Sequence, residues 1–314
     1  MIVDFLMLVA GLVLLVFTGD FLVKGAAGLA ENLGIPALII GLTIVAFGTS
    51  APELMVSLQS ALTGAPDIAV GNVVGSNIAN ILLVMGLPAL IAVIHANQSG
   101  LARNVAVMLV FTIAFMWMIS DGILARIEAA GLFVGLLLFV LAQILRARAH
   151  IDEDEPEDYH DELGELPHSP KRIALYLIGG IIGLPLAAHL TVGGASGLAE
   201  VFGVSQAAIG LTIVAIGTSL PELATTMMAA WRKNADVALG NIIGSNIFNI
   251  AAIMGVTGLI VPVPVSEIMI DRDMWIMLAT AILLTIICFV RITTGKLLGG
   301  AMFVAYLAYI VSVF

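Results

Sequence analysis

Two short stretches of the chain carry the residues best suited to chemistry. Residues 48–53, GTSAPE, place Glu53 after Thr49 and Ser50 within a mostly apolar run, and GTSLPE repeats the pattern at residues 217–222. Positions i, i+1 and i+4 of a helix bring their side chains towards one face. A carboxylate in the middle of an apolar span is costly, so such acids usually face a cavity or a cation. Two copies of this feature predict a site for positively charged ions.

Each motif also contains a proline that frees backbone oxygen. Pro52 has no N–H, so the carbonyl of Gly48 loses its normal helical partner, and Pro221 has the same relation to Gly217. Glycine adds backbone flexibility where the helix is expected to kink. We therefore expect backbone carbonyls beside both acids to be available as cation ligands.

A second motif follows the first in both places. GNVVGSN spans residues 71–77 and GNIIGSN spans residues 240–246, with glycines four residues apart that predict close contact between helix backbones. Oxygen donors one turn apart follow in each copy: Ser76 with Asn80, and Ser245 with Asn249. Interhelical hydrogen bonding is the alternative role for these four residues. Four other asparagines fall on different helix faces, where helix packing is favoured: Asn72, Asn77, Asn241 and Asn246.

The donor set indicates which ions the site would take. Carboxylate, hydroxyl, amide and carbonyl oxygens suit hard cations such as Ca²⁺ or Na⁺, whereas Mg²⁺ is a weaker candidate because it sheds water reluctantly. Glu53 and Glu222 would together carry two negative charges, which one Ca²⁺, two Na⁺ or two protons would neutralise. The chain has one cysteine, Cys288, and no zinc-spaced cluster, so no cofactor or transition metal is expected.

Composition identifies the elements that must hold this site. Of the 314 residues, 61% are hydrophobic, which indicates an all-α integral membrane protein embedded in a lipid bilayer. The N-terminal stretch has no basic residue before its apolar core, so it is interpreted as a retained first helix. Ten transmembrane helices are predicted, near residues 2–23, 35–63, 67–94, 101–119, 127–147, 173–192, 204–231, 236–261, 273–291 and 297–314.

The chain contains an internal repeat with an offset of 169 residues. GLTIVAFGTSAPEL at 41–54 and GLTIVAIGTSLPEL at 210–223 differ at two positions. Three units are predicted: a first five-helix repeat at 1–147, an acidic loop at 148–172 and a second five-helix repeat at 173–314. Because five is an odd number, the second repeat should enter the membrane from the opposite side, giving the inverted topology typical of secondary transporters.

Charge predicts the orientation in the cell membrane. Of the 12 Lys and Arg residues, all but Arg126 and Arg272 fall on one side of the ten-helix arrangement, which should face the cytoplasm. Both termini would then be extracytoplasmic and the acidic loop cytoplasmic. Nine acids lie between positions 152 and 165, and a solvated connector explains them best, with a cation-sensing role as the alternative.

The paired GTSAPE and GTSLPE motifs, each followed by GNxxGSNxxN, resemble the two alpha-repeats of the sodium/calcium exchanger family within the cation/calcium antiporter superfamily. The resemblance covers nearly the whole membrane portion and implies alternating access by ten helices. It implies that Glu53 and Glu222 ligate Ca²⁺ with the carbonyls of Thr49 and Thr218. The Na⁺ ligands that it implies are the hydroxyls of Ser50, Ser76, Ser219 and Ser245 and the carbonyls of Ala46 and Ala215.

Two departures from relatives refine this expectation. Many relatives carry aspartate where this chain has Asn249, and potassium-dependent members use that acid, so K⁺-independence is expected. Proton-coupled relatives tend to carry glutamate where this chain has Gly75 and Gly244, which favours Na⁺.

The leading hypothesis is a Na⁺/Ca²⁺ antiporter that extrudes Ca²⁺, and three other functions are alternatives to it. A Ca²⁺/H⁺ antiporter is the close rival, and a cation channel could use the same oxygens, although an inverted repeat favours rocking. An intramembrane hydrolase using Ser50 or Ser219 would lack an obvious base, so no enzyme is expected. The expected partners are inorganic cations and lipid, with no nucleic acid and no obligate protein partner.

Overall fold

The computed structural model describes residues 1–150, 166–202 and 215–313. These residues are almost entirely helical. The α-helices, in chain order, are α1 (Ile2–Leu33), α2 (Ala37–Ile40), α3 (Ala46–Thr49), α4 (Ala51–Leu62), α5 (Pro66–Ala79), α6 (Gly86–Ala89), α7 (Leu101–Met118), α8 (Arg126–His150), α9 (Pro170–Val201), α10 (Ala215–Thr218), α11 (Leu220–Trp231), α12 (Ala235–Phe248), α13 (Gly255–Ile260), α14 (Met274–Val290) and α15 (Lys296–Val313).

Two short strands and four π-helical turns complete the described elements. Strand β1 (Ile123–Leu124) pairs antiparallel with β2 (Val263–Pro264), joining the loops before α8 and after α13. The π-helical turns are Gly41–Val45, Asn80–Val84, Asn249–Met254 and Met269–Asp273. Turns of this kind often occur at functional sites.

Most of the described helices are suited to crossing a membrane. Within the described ranges, seven helical stretches are long and apolar enough, and an eighth is added if α2–α3 and α4 form one span with a 45° bend. The last helix, α15, is apolar but shorter. The first part of the predicted helix near 204–231 lies outside the described residues. The nine acids of the loop lie outside them as well. The chain is therefore a multi-pass membrane protein, and the count of ten spans stays a prediction.

The predicted ends of the first and sixth helices, near residues 23 and 192, are wrong, because these helices continue to Leu33 and Val201. Helices α1 and α9 run without interruption for 32 residues each. Their glycines lie where the two helices touch: a Cβ on Gly25 would come within 2.9 Å of the Leu177 backbone, and one on Gly180 within 2.6 Å of Leu22. In membrane helices, glycine of this kind permits close packing without ending the helix. Lys24 is accommodated by an ion pair with Asp20 at 3.0 Å.

The motif-bearing helices occupy the interior. In the most apolar part of the stretches Pro66–Ala89 and Ala235–Ile260, 78% and 83% of the residues are buried, against 17% for α1. The kink predicted at the first motif is confirmed, since the chain bends by 45° between α3 and α4, with Pro52 at the start of α4. The two long helices α1 and α9 pack against each other beside this interior, as the glycine contacts show.

Candidate cation site

The two motif acids lie at equivalent places in the fold. Glu53 is in the first turn of α4 and Glu222 is in the first turn of α11, and each side chain is 1% exposed. Ser50, at the bend before α4, donates its hydroxyl to Glu222 Oε1 at 3.1 Å. Glu222 therefore reaches the turn that carries Glu53, and the two carboxylates are close enough for their charges to interact.

Most of the carboxylate oxygens lack a donor. Both side-chain oxygens of Glu53, and Oε2 of Glu222, are buried without a hydrogen-bond partner in the described part of the chain. Removing an ionised carboxylate from water costs on the order of several kcal/mol unless it is paired or hydrogen-bonded. A bound cation would supply the missing interaction for both acids at once.

Thr49 connects the first motif to helix α12. Its hydroxyl donates to Asn241 Oδ1 at 3.1 Å and lies 3.4 Å from Ser245 Oγ. It also approaches the carbonyl of Ala46 at 3.3 Å. Residues from the two halves of the sequence thus line one buried polar cluster beside the carboxylates.

Asn80 and Asn249 begin matching π-helical turns. Both are buried, and neither side-chain atom of Asn80 has a hydrogen-bond partner among the residues described. Asn249 donates Nδ2 to Asn77 Oδ1 at 3.4 Å, while its own Oδ1 is left unpartnered within the same residues. Unpaired buried amide oxygens are costly in a packed interior, so they are suited to a ligand.

The remaining predicted ligands lie at or near these turns. Ser219 stands between α10 and α11 and is buried, and Ser76 is buried one turn before Asn80. Thr218 ends α10 and is half-buried, and Ala215 begins α10 at the edge of the described chain. The cluster thus joins six predicted residues by direct contacts or charge interaction, namely Glu53, Glu222, Thr49, Ser50, Ala46 and Ser245.

Close backbone contact of α12 with the first motif is confirmed. A Cβ on Gly244 would lie 2.6 Å from the Cβ of Ala46, and one on Gly240 would lie 2.8 Å from the carbonyl of Leu38. Gly71 faces only Met269 at 3.6 Å, and Gly75 meets no atom within 4 Å among the described residues. The segment 203–214 lies outside those residues, so the matching contact in the other half stays a prediction.

Two of the asparagines that the sequence assigned to packing bind the backbone of the motif acids. Asn72 donates Nδ2 to the backbone carbonyl of Glu53 at 3.2 Å, and Asn241 donates Nδ2 to that of Glu222 at 3.4 Å. The only sequence signal for this role was their recurrence at the repeat offset, together with hydroxyl residues at positions 57 and 226.

Comparison with known proteins identifies the chain's relatives. The model of the family described as sodium/calcium exchanger protein matches residues 3–145 and 172–314. The inner membrane protein YrbG of Escherichia coli (strain K12) is 38% identical over 309 residues, covering 96% of this chain and 95% of YrbG. The sodium/calcium exchanger MaX1 of Methanosarcina acetivorans is 33% identical over 345 residues, covering 99% of each chain.

A solved structure shares the fold. The sodium-calcium exchanger NCX_Mj, soaked with 2.5 mM Na⁺ and 0.1 mM Ca²⁺, superposes with a TM-score of 0.85 at 30% identity, covering 100% of this chain and 99% of that one. The fold and the buried oxygen cluster define a membrane antiporter for cations. The chain belongs to the sodium/calcium exchanger family.

Proposed function

We propose that this protein exchanges Na⁺ for Ca²⁺ across the cell membrane by alternating access, in the direction of Ca²⁺ extrusion. The observation that carries the proposal is the pair of buried acids with three unpartnered oxygens in the described structure. One Ca²⁺ neutralises this pair, and two Na⁺ do the same. Mutually exclusive neutralisation of one pair of charges is a physical basis for exchange.

The proposed ligands follow the motif positions. Ca²⁺ is held by Glu53 and Glu222 with the carbonyls of Thr49 and Thr218. Na⁺ uses the hydroxyls and carbonyls of Ser50, Ser76, Ser219, Ser245, Ala46 and Ala215, while Asn80 and Asn249 supply neutral oxygens. Ca²⁺ sites in proteins are typically flexible and hold the ion with oxygen ligands at about 2.3–2.6 Å.

The proposed architecture is ten transmembrane helices in two inverted five-helix repeats. The 169-residue sequence repeat and the separate family matches to 3–145 and 172–314 support this arrangement. Both termini are proposed to be extracytoplasmic, with the acidic loop at 148–172 in the cytoplasm. Inverted repeats place the substrate site near the bilayer midplane at their interface, where the contact between Thr49 and α12 supports a shared site.

Flux into liposomes tests which ion is coupled to Ca²⁺. Purified protein in liposomes should accumulate ⁴⁵Ca²⁺ when an outward Na⁺ gradient is imposed, and a pH gradient alone should give the rate of protein-free liposomes. Uptake driven by the pH gradient alone would favour the Ca²⁺/H⁺ antiporter. Passive Ca²⁺ flux that needs no counter-ion would favour a channel.

A matched pair of variants ties this flux to the site. Glu53→Gln keeps the size of the side chain but removes the charge, so Na⁺-driven uptake should fall to the level of protein-free liposomes. Glu267→Gln removes an exposed acid directly before the π-helical turn Met269–Asp273 and should leave uptake unchanged. Equal uptake by both variants would contradict the assignment of the carboxylate.

A further inference from the structure

The backbone carbonyl of each motif acid accepts a hydrogen bond from an asparagine of the neighbouring helix. We call this asparagine, Asn72 or Asn241, together with its hydroxyl partner the clamp. In the first half, Asn72 on α5 donates Nδ2 both to the backbone carbonyl of Glu53 at 3.2 Å and to Ser57 Oγ at 2.9 Å. In the second half, Asn241 on α12 donates Nδ2 to the carbonyl of Glu222 at 3.4 Å and to Thr226 Oγ1 at 3.1 Å. The asparagine, the acid carbonyl and the hydroxyl thus recur at the 169-residue offset with the same pattern of hydrogen bonds.

The clamp fixes where each carboxylate sits. A helix carbonyl has a second lone pair after it accepts the normal i+4 bond, so the asparagine can bind it without disrupting the helix. The amide thereby ties the turn that carries the acid to the adjacent helix. A displacement of about 1 Å in a ligand-bearing turn is enough to degrade a binding geometry.

Asn241 has an additional contact with the opposite motif. Because the Glu222 carbonyl can only accept, Nδ2 must face it, and Oδ1 is left to accept from the Thr49 hydroxyl at 3.1 Å. One fully buried side chain therefore connects the backbone of one acid to the opposite motif. Asn72 is only half-buried.

We propose that Asn72 and Asn241 are positioning residues that set the geometry of the cation site, with Asn241 also fixing the separation of its two halves. The inference rests on the proposed function in taking Ca²⁺ as the ion bound by these acids. It assigns a role to the first asparagine of each GNxxGSN motif.

Calcium binding to the purified full-length protein tests the proposal without depending on the coupled ion. The dissociation constant for Ca²⁺ should rise about tenfold in Asn72→Ala and further in Asn241→Ala, since each loses hydrogen bonds that hold a ligand-bearing turn. The midpoint of thermal unfolding in Ca²⁺-free buffer is measured on the same samples.

The control variant loses a similar bond elsewhere. Asn104 is buried in α7 and accepts from Gln143 Nε2 of α8 at 2.7 Å. Asn104→Ala should lower the unfolding midpoint but leave the dissociation constant unchanged. If Asn72→Ala and Asn241→Ala change only the unfolding midpoint, as Asn104→Ala does, their role is structural and the proposal is overturned.

Variants of the hydroxyl partner test the clamp with smaller changes. Thr226→Val removes the hydroxyl and should raise the Ca²⁺ dissociation constant about threefold. Thr226→Ser keeps the hydroxyl, which Ser57 supplies in the first half, and should bind Ca²⁺ like the wild type. Equal binding by Val and Ser would overturn the clamp. Absence of Ca²⁺ binding to the wild-type protein would contradict the proposed function itself.

Discussion

At the scale of single residues, the site combines two charges with many neutral oxygens. Glu53 and Glu222 carry the charge, and the nearby Thr, Ser and Asn side chains add dipoles without adding charge. A site of net charge −2 matches one divalent ion or two monovalent ions. Had Asn80 and Asn249 been aspartates, the site would demand further cations.

The hydroxyl of Ser50 gives the first prediction at this scale. It is the hydrogen-bond donor to Glu222 Oε1, at 3.1 Å, and a proposed Na⁺ ligand. Ser50→Ala should raise the Na⁺ concentration for half-maximal exchange about tenfold, since a hydrogen bond to a charged group contributes about 1.5–3 kcal/mol. Rates of Ca²⁺ uptake into liposomes at graded Na⁺ gradients measure this effect.

Ser60→Ala, on the same helix α4 but two turns beyond the acid, is the control and should behave like the wild type. An unchanged Na⁺ dependence in Ser50→Ala would remove Ser50 from the site.

At the scale of elements, the site depends on how closely α12 approaches the first motif. Gly240 and Gly244 let the backbone of α12 contact α2, α3 and the π-helical turn between them, so that Thr49 reaches Asn241 and Ser245. The bend at Ser50 then directs α4 away and leaves Glu53 at its first turn. The helix contact and the bend together determine where the ligands lie.

Substitution of Gly244 tests this contact. In Gly244→Val the added Cβ would lie 2.6 Å from the Ala46 Cβ and 2.7 Å from the Leu42 carbonyl, so the helices must separate. We expect loss of Ca²⁺ binding and a fall in stability of about 1–3 kcal/mol, as for overpacked cores. Calcium titration and thermal unfolding in detergent measure the two effects.

Gly131→Ala in α8 provides the comparison, because its nearest atom would be Met118 Cε at 3.8 Å. This variant should bind Ca²⁺ normally and be as stable as the wild type or slightly more stable. Normal Ca²⁺ binding by Gly244→Val would show that the close approach is not needed.

Sequence patterns predicted the motif elements better than the packing around them. The kink at Pro52 and the glycine contact of α12 follow from local rules about proline and small residues, and both are present. The sequence places the ends of α1 and α9 too early because Lys24 and several glycines resemble a loop. Lys24 pairs with Asp20 one turn earlier on α1, and the glycines pack against the other long helix, as Gly25 does against Leu177. The roles of Asn72 and Asn241 depend on which helix lies opposite, which periodicity alone does not indicate.

At the scale of the whole molecule, the proposed alternating access places the two halves in opposite orientations in the membrane. Charge supports one orientation, in which the start of α9 is cytoplasmic and the loop between α7 and α8 is extracytoplasmic. The native Cys288 is 2% exposed, so it should contribute little background to surface labelling.

Single cysteines can test this orientation on intact cells. Asp121→Cys, in the loop after α7, should react with a membrane-impermeant maleimide added outside, and Lys171→Cys, at the start of α9, should react only after the cells are opened. Both positions are exposed, so access from either side is set by topology. The reverse labelling pattern would invert the proposed orientation.

In the proposed mechanism, Glu53 and Glu222 form one site at which Ca²⁺ and Na⁺ exclude each other. Calorimetric titration of Ca²⁺ into the purified protein at several Na⁺ concentrations tests it most directly. We predict one Ca²⁺ per chain, an apparent dissociation constant that rises with more than the first power of Na⁺, and no binding to Glu53→Gln or Glu222→Gln. Undiminished Ca²⁺ binding to either variant, or Ca²⁺ binding that does not change with the Na⁺ concentration, would exclude such a site.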